Sequence, residues 1–288
     1  MPTIPDTVTS PPLVRIQPTY GWRRLDLGEL WVHRELLYFL AWRDIKLRYR
    51  QTALGVLWVV LQPVLTMGVF TVFFGALLGV SSDGMPYPLF SLGGLLAWTF
   101  FARAVLLASE SVVGQAHLIT KVYFPRLVMP LATVIAGLVD LAIGLVVLSA
   151  LMVGYGTAPG IRIIWLPGFL VFLVAASLGT ATWLAALNVR YRDVRHVIPF
   201  VVQTWMFVTP VIYPASVLRS HLAAFGLPEW LVGLNPLAGI VEGFRWTLVG
   251  AAAPPLTLLA ASASVSLGLL LSGVAFFRRT ERSFADVV

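Results

Sequence analysis

The sequence contains no cysteine and only two lysines, Lys46 and Lys121. The absence of cysteine excludes disulfides, thiolate nucleophiles and cysteine-ligated metals. Neither lysine stands in the GxxxxGK[ST] pattern, in which a glycine-rich loop cradles nucleotide phosphates. A process driven by ATP would therefore need a second chain to hold the nucleotide.

Patterns typical of metal-dependent catalysis are also missing from the sequence. There is no HExxH, and no pair of acidic residues is spaced as a metal-binding DxD. The histidines are far apart, at His33, His117, His196 and His221. The sequence therefore predicts no metal site and no catalytic residues, and an enzyme is not favoured.

Charge is scarce, because only 11% of the residues are charged, whereas about 25% is usual for a soluble domain. Hydrophobic residues make up 58%, and the mean hydropathy is +0.87. This composition predicts an all-α integral membrane protein. The net charge of +7 then fits basic loops on the cytoplasmic side better than a nucleic-acid partner, which we do not expect.

Two segments precede the apolar part of the chain. Residues 1–28 are polar and rich in proline, and predict a flexible cytoplasmic tail rather than a cleaved signal peptide. Residues 29–50 have helical periodicity and predict an amphipathic interface helix, with membrane lipid as its neighbour. One line along it, mostly aromatic, comprises Trp31, Tyr38, Trp42, Ile45 and Tyr49, and a neighbouring basic arc comprises Arg43, Lys46 and Arg50. A solvated charged face is the alternative.

Residues 51–280 predict a transmembrane domain of six spans, since about 20 apolar residues cross the hydrocarbon core. The predicted spans are about 53–79, 86–109, 127–155, 163–188, 197–217 and 253–277. Residues 218–250, between the fifth and sixth spans, are broken by proline and glycine. They predict short re-entrant helices at the outer face, where protein or water satisfies the backbone. Residues 281–288 predict a cytoplasmic tail.

The distribution of basic residues predicts the orientation of the chain. With six spans and a cytoplasmic amino terminus, sixteen of the twenty lysines and arginines lie in cytoplasmic segments. Arg162, Arg219 and Arg245 lie outside, and Arg103 lies in a span. This asymmetry follows the positive-inside rule and predicts that both termini are cytoplasmic.

Two charged residues fall within predicted spans, Arg103 and Asp140. Such residues are costly in lipid and are expected to face protein or water. Asp140 is interpreted as a hydrogen-bonded group at a helix contact in preference to a proton site, with Arg103 as its suggested partner. A single buried acid gives little support to an ion-coupled carrier.

Several separated stretches, in order from about residue 30 to the end, resemble type-2 ABC transporter permeases that export polysaccharides and polyol phosphates. They are RDIKLRYRQTALGVLWVVLQP at 43–63, LITKVYFPRLVMPLA at 118–132, NVRYRDVRHVIPF at 188–200, TPVIYP at 209–214, NPLAGIVEGFRW at 235–246 and ERSFADVV at 281–288.

The resemblance implies a channel-forming homodimer in the bacterial cytoplasmic membrane. Two copies of a separate subunit would bind ATP and Mg²⁺, and the substrate would be a lipid-linked glycan such as O-antigen, capsule or teichoic acid. An exporter of a lipid or a small hydrophobic compound is the first alternative, and an ion-coupled carrier is the second.

The resemblance also assigns a coupling loop at residues 110–126, where the ATPase would bind. Its candidate contact residues are Gln115, His117 and Lys121, although relatives usually carry asparagines where Gln115 and His117 stand. Arg43, Asp44 and Lys46, before the first span, are further coupling candidates. For Lys121 and Arg126 the alternative is topology signalling alone.

Aromatic rings with polar edges suit a sugar path, and Trp98, Phe101, Trp205 and Phe207 are its candidates. A buried helix contact is the alternative for these rings. Glu242 and Arg245 are three residues apart and can pair on one helix. We expect them to hold an outer gate or to meet the pyrophosphate of the substrate.

Overall fold

The structure, a computed structural model, describes residues 27–50, 56–119, 121, 124–191, 193–281 and 284. Within these ranges the chain is helical and contains no β-strand. The α-helices are α1 (Leu27–Val32), α2 (Arg34–Tyr49), α3 (Val56–Phe70), α4 (Tyr87–Glu110), α5 (Ala116–Ile119), α6 (Val128–Gly154), α7 (Leu166–Arg190), α8 (Val194–Val208), α9 (Ala215–Ala224), α10 (Pro236–Phe244) and α11 (Leu256–Thr280). Shorter 3₁₀ or π-helical segments are Thr71–Leu77, Val113–Gln115, Ile161–Trp165, Glu229–Leu234 and Arg245–Val249.

Five helical segments in the described ranges are long and apolar enough to cross a membrane. They are Leu57–Leu77, Tyr87–Glu110, Val128–Gly154, Ile161–Arg190 and Leu256–Thr280. Their bounds agree with five of the predicted spans to within a few residues. The prediction of an all-helical, multi-pass membrane protein is confirmed.

The predicted fifth span, residues 197–217, differs from the observed structure. Helix α8 ends at Val208, and its 15 residues reach only about 22 Å at 1.5 Å per residue. The chain then turns before α9 begins at Ala215. The apolar run continues through this turn, so composition alone did not reveal the break.

Helix α4 is the centre of the bundle. In the most apolar 18-residue stretch of α4, 78% of the residues are buried, whereas the corresponding fraction for the segment Leu57–Leu77 is 6%. It packs against α6, α7, α10, α3 and α8, and it carries much of the main apolar core. By contrast, most of α3 and its π-helical continuation presents apolar side chains to the surroundings.

Helices α7 and α11 approach each other at backbone distance. A Cβ atom placed on Gly273 would lie 2.3 Å from the carbonyl oxygen of Gly179. One placed on Gly179 would lie 2.5 Å from the backbone of Leu269. Small residues allow such close packing between membrane helices, where a hydrophobic driving force is lacking.

The amino-terminal helix predicted over residues 29–50 is present but breaks at His33, between α1 and α2. Helix α2 packs along α6. Leu40 and Ala41 are buried there, whereas Tyr38 and Trp42 stack on each other at 6.5 Å and are exposed. Exposed aromatic rings on a helix suit the headgroup layer, so the location at the interface stays a prediction with support.

Short helices do occupy the segment predicted to be re-entrant. Helix α10 is buried along its whole length among α4, α7 and α11. Its N-cap is Asn235, whose side chain accepts a hydrogen bond from the backbone N–H of Leu237 at 3.1 Å. Whether these helices re-enter a membrane stays a prediction.

Candidate functional site

A cluster of charged and polar side chains lies inside the bundle around Asp140, and we call it the Asp140 cluster. The carboxylate of Asp140, in the middle of α6, accepts hydrogen bonds from Arg48 and from the hydroxyl of Tyr49. It also lies 3.4 Å from the guanidinium of Arg103 on α4. Arg103 donates in turn to the side chain of Gln62 on α3. The cluster therefore connects α2, α3, α4 and α6.

Contacts between α2 and α6 show how α2 enters the bundle. Asp44 accepts a hydrogen bond at 3.2 Å from Thr133, near the beginning of α6. One turn later on α2, Arg48 contacts Asp140, which is further along α6. Helix α2 thus runs in the same direction as α6 and carries its last turn into the bundle.

The charges in the Asp140 cluster do not balance. Two guanidinium groups, Arg48 and Arg103, share one carboxylate. Burial and the hydrogen bond to Asp140 raise the pKa of Tyr49, so its hydroxyl stays protonated and donates. With Tyr49 neutral, the cluster carries one excess positive charge.

A second apolar core lies at the end of the bundle that carries most of the basic residues, and we call it the basic-end core. It joins α2, both ends of the 110–126 loop, the first turn of α6 and the last turns of α7 and α11. Its buried members are Leu40, Ala41, Val112, Phe124, Leu127, Val128, Met129, Ala132, Ala185, Ala186, Val189, Val274, Phe277 and Phe284. Motion of either α2 or the loop therefore acts on the same packed side chains.

Polar contacts reinforce the basic-end core. Arg126 donates to the carbonyl oxygen of Glu281 and lies 5.9 Å from the centre of the Phe284 ring. Asn188, on α7, donates to the carbonyl oxygen of Ser109 at 3.1 Å. The first contact joins the end of the loop to the residue that follows α11, and the second joins α7 to α4.

The three predicted coupling residues of the loop differ in exposure. Gln115 ends a 3₁₀ turn, and His117 and Lys121 are exposed. The side-chain oxygen of Gln115 is buried and has no hydrogen-bond donor in the described part of the chain. The predicted coupling loop, residues 110–126, is only partly described, because residues 120, 122 and 123 lie outside the described ranges.

The coupling candidates on α2 lie on two sides of the helix. Arg43 pairs with Asp44 at 2.8 Å, and Asp44 faces α6. The ammonium group of Lys46 lies 5.4 Å from the centre of the Trp42 ring on the exposed side. The candidates on α2 and those on the loop are connected through the basic-end core. No direct contact between these two sets of side chains is among the described ones.

Glu242 and Arg245, predicted to pair, do so at 3.0 Å. The guanidinium is completely buried and donates to the carbonyl oxygens of Phe90, Pro210 and Val211 at 3.1, 2.8 and 2.6 Å. We call this group the Arg245 cluster. The same Glu242 oxygen accepts from the backbone N–H of Ala215.

The Arg245 cluster therefore closes the turn between α8 and α9. A Cβ on Gly94 would lie 2.5 Å from the guanidinium, so the glycine makes room for it. Buried in this way, Arg245 has no surface to offer a substrate pyrophosphate in this conformation. Its predicted role at a gate stays a prediction.

The four aromatic candidates separate into two groups. Trp98 and Phe101 are buried, and the Phe101 ring meets the Trp205 ring edge-on at 5.3 Å. Trp205 donates from Nε1 to Asn235 at 3.2 Å. Phe207 is 56% exposed. Three of the rings thus form a helix contact between α4 and α8 in this conformation, which was the alternative interpretation.

Sequence reasoning missed Arg48, Tyr49 and Gln62 as partners of Asp140. The charges of Arg103 and Asp140 stand out against apolar surroundings, and their suggested pairing is present. Arg48 is one of several basic residues before the first span, and nothing in its local pattern distinguishes it. Its contact spans 92 residues of sequence, and only the packing of α2 on α6 creates it.

Comparison with known proteins agrees with these features. An "O-antigen export system permease protein" of Myxococcus xanthus is 30% identical over 261 residues, covering 90% of this chain and 98% of the relative. A protein of the same description from Klebsiella pneumoniae is 25% identical over 92% of this chain and 98% of its own length. A "polysialic acid transport protein" of Escherichia coli is 23% identical over 84% and 92%, respectively. Residues 35–249 match the family described as ABC-2 type transporter. The resemblance predicted from the sequence is thereby confirmed, and the chain belongs to the ABC-2 type transporter family.

Proposed function

We propose that this chain is the membrane-embedded permease subunit of an ATP-driven exporter of a lipid-linked polysaccharide or a related polyol phosphate polymer. The observation that carries the proposal is membership of the ABC-2 family together with near full-length similarity to O-antigen export permeases. The polysialic acid transport relative extends the substrate class to capsular polymers.

The proposed topology has six spans in the bacterial inner membrane with both termini in the cytoplasm. Helix α8 and the turn and helix that follow it would together make the fifth crossing. An even number of crossings, which keeps both termini on one side of the membrane, supports this assignment. If α8 did not cross, α11 would end on the opposite side and carry Arg278 and Arg279 there, against the charge asymmetry.

Two copies of the permease would work with two copies of a separate ATP-binding subunit, which would bind ATP and Mg²⁺. The absence of a P-loop from this sequence supports that division of labour. The unburied apolar surface of α3 supports a homodimer or contact with lipid.

Coupling would pass from the ATPase to the loop at Gln115, His117 and Lys121 and to α2 at Arg43, Asp44 and Lys46. The basic-end core supports this route, because it packs both segments against the ends of α6, α7 and α11. Motion of α2 would then reach α3, α4 and α6 through the Asp140 cluster.

Opening of a path between α4 and α8 would bring the glycan to the rings of Trp98, Phe101, Trp205 and Phe207. Because three of these rings pack on each other at rest, their exposure requires α4 and α8 to separate. Glu242 and Arg245 would hold the outer end of the path closed.

The decisive experiment reconstitutes the permease with its co-purifying ATPase in vesicles and supplies a defined lipid-linked glycan with ATP. ATP-dependent movement of the glycan is expected, and loss of movement in a Trp98→Ala/Trp205→Ala double variant would support the aromatic path. Movement of the lipid alone would favour the exporter of a lipid or small hydrophobic compound. Movement driven by an ion gradient without ATP would refute the proposal in favour of a carrier.

A further inference from the structure

Arg103 is unusual among the basic residues of the described spans. The other basic residues in the five long helical segments lie in the first or last turns, as Arg162, Arg190, Arg278 and Arg279 do. Arg103 lies about 10 Å along α4 from Glu110, at 1.5 Å per residue. Its side chain is nevertheless 36% exposed.

The exposed side of Arg103 faces a crevice between α3, α4 and α6. The crevice is lined by Gln62, Thr66, Leu96, Thr99, Phe100 and Asp140, among others. Thr66 and Thr99 direct their hydroxyl hydrogens to carbonyl oxygens of their own helices. Arg103 and the amide of Gln62 are therefore its principal hydrogen-bond donors.

Arg103 retains hydrogen-bonding capacity. A guanidinium has five N–H groups, and the described contacts of Arg103, to Asp140 and Gln62, occupy two. Arg103 and Asp140 line the crevice, and Arg48 pairs with the same carboxylate from outside its lining, so the cluster beside the crevice has an excess positive charge. A charge at this depth is costly without a counter-ion, so the crevice favours an anion.

Arg245, by contrast, has little hydrogen-bonding capacity left. Its described contacts use four N–H groups, and its side chain has no exposed surface. Unlike Arg245, Arg103 can therefore meet a molecule from outside the chain.

We propose that the crevice between α3, α4 and α6 binds the phosphate of a lipid through Arg103 and the amide of Gln62. Guanidinium groups form charge-assisted, often forked hydrogen bonds with phosphate oxygens. Helix α3, which borders the crevice, exposes apolar side chains such as Leu65 and Val69, so the phosphate arrives attached to a lipid. Its source is either the diphosphate of the lipid-linked substrate, which rests on the proposed function, or a phospholipid of the bilayer, which does not.

The test measures lipid binding to the purified permease–ATPase complex in a phosphate-free maltoside detergent by native mass spectrometry. The probes are phosphatidylglycerol and a synthetic polyprenyl diphosphate sugar, with a galactosyl diacylglycerol as the phosphate-free control. Binding of at least one phosphate probe but not of the control is expected. Arg103→Gln should weaken that binding about tenfold, the scale of one charge-assisted hydrogen bond.

Two further variants separate a binding site from a structural contact. Asp140→Asn removes the neighbouring negative charge and should tighten phosphate binding, whereas a contact needed only for folding would make it weaker. Arg190→Gln removes an exposed positive charge at the end of α7 and should leave binding unchanged. Any of three outcomes would overturn the proposal. They are equal losses of phosphate-probe binding in Arg103→Gln and Arg190→Gln, weaker binding in Asp140→Asn, and binding of neither phosphate probe.

The two probes also identify the source. Preference for the diphosphate sugar assigns the site to the substrate, and preference for phosphatidylglycerol assigns it to the bilayer. Binding is measured without transport. An Arg103-dependent site in a complex that moves no glycan would therefore refute the proposed function and leave this inference intact.

Discussion

The two arginine–carboxylate clusters of this protein differ in what they hold together. In the Arg245 cluster the guanidinium bonds three backbone carbonyl oxygens in addition to Glu242, and it is completely buried. In the Asp140 cluster only side chains take part, they come from four helices, and Arg103 remains partly exposed.

The difference indicates two mechanical roles. The carbonyl groups of Pro210 and Val211 are buried and would lack water as an alternative partner, so the Arg245 cluster has to stay closed for the fold to persist. The side-chain contacts of the Asp140 cluster can exchange for lipid or water while every helix keeps its own backbone hydrogen bonds. One cluster stabilises a turn, and the other permits helices to move.

The largest effect is expected from Arg245→Leu. The change removes the cationic partner of Glu242, which keeps only the Ala215 N–H, and the donor to two carbonyl oxygens of the α8–α9 turn. Removal of one partner of a buried pair costs about 3–5 kcal/mol. Thermal unfolding in detergent, followed by size-exclusion chromatography, should show a large loss of folded protein. Arg219→Leu is the matched control, because its pair with Glu229 is partly exposed and should contribute at most about 1 kcal/mol. Equal stability of the two variants would contradict the comparison.

Asp140→Asn should affect coupling more than folding. The variant leaves Arg48 and Arg103 without their shared carboxylate and loosens the last turn of α2. We expect substrate-stimulated ATP turnover to fall about tenfold, corresponding to about 1.4 kcal/mol, while the protein still assembles with its ATPase. A variant that unfolds as readily as Arg245→Leu would remove the distinction between the clusters.

Charge reversal at Arg43 or Lys46 tests the coupling role of α2 at positions further from the Asp140 cluster. Arg43→Glu places a second negative charge beside Asp44, whose other oxygen meets Thr133 of α6. Glycan export should fall several-fold with normal membrane insertion, and Lys46→Glu should behave similarly if α2 contacts the ATPase. Unchanged export at normal expression would exclude a coupling role for these residues.

The smallest effect is expected from Tyr49→Phe, which removes one hydrogen bond to Asp140 and about 1 kcal/mol of stability. Burial and Asp140 raise the pKa of Tyr49 above its ordinary value of 10.0. A raised pKa in the folded state means that this stability is complete below pH 10 and is lost as the pH rises through the folded-state pKa. The stability difference between the two proteins, measured by denaturation from pH 6 to 9, should therefore be constant. A difference that changes within that range would show that another group titrates.

The sequence allowed the long helices to be placed but not the contacts between their polar residues. Apolar run length determines where a span begins and ends, and α6 and α11 follow their predictions closely. The turn after Val208 was missed because its carbonyls are satisfied by Arg245, which is distant in sequence. Local periodicity carries no information on such a partner.

The sequence also indicated part of the Asp140 cluster. Arg103 and Asp140 attract attention because charge is rare in apolar segments. Tyr49 was placed on the aromatic line of an interface helix, yet its hydroxyl turns to Asp140. The direction in which α2 runs along α6 depends on tertiary packing, which residue spacing within α2 does not specify.

The Arg245 cluster has a consequence for biosynthesis. The carbonyl groups of Pro210 and Val211 meet a donor 35 and 34 residues later in the chain. At about 5–20 residues per second, the ribosome needs roughly two to seven seconds to add that donor. During this interval the turn after α8 cannot reach its final hydrogen bonding. Folding of this part of the protein is therefore completed only after the polypeptide has been extended through α10 to Arg245.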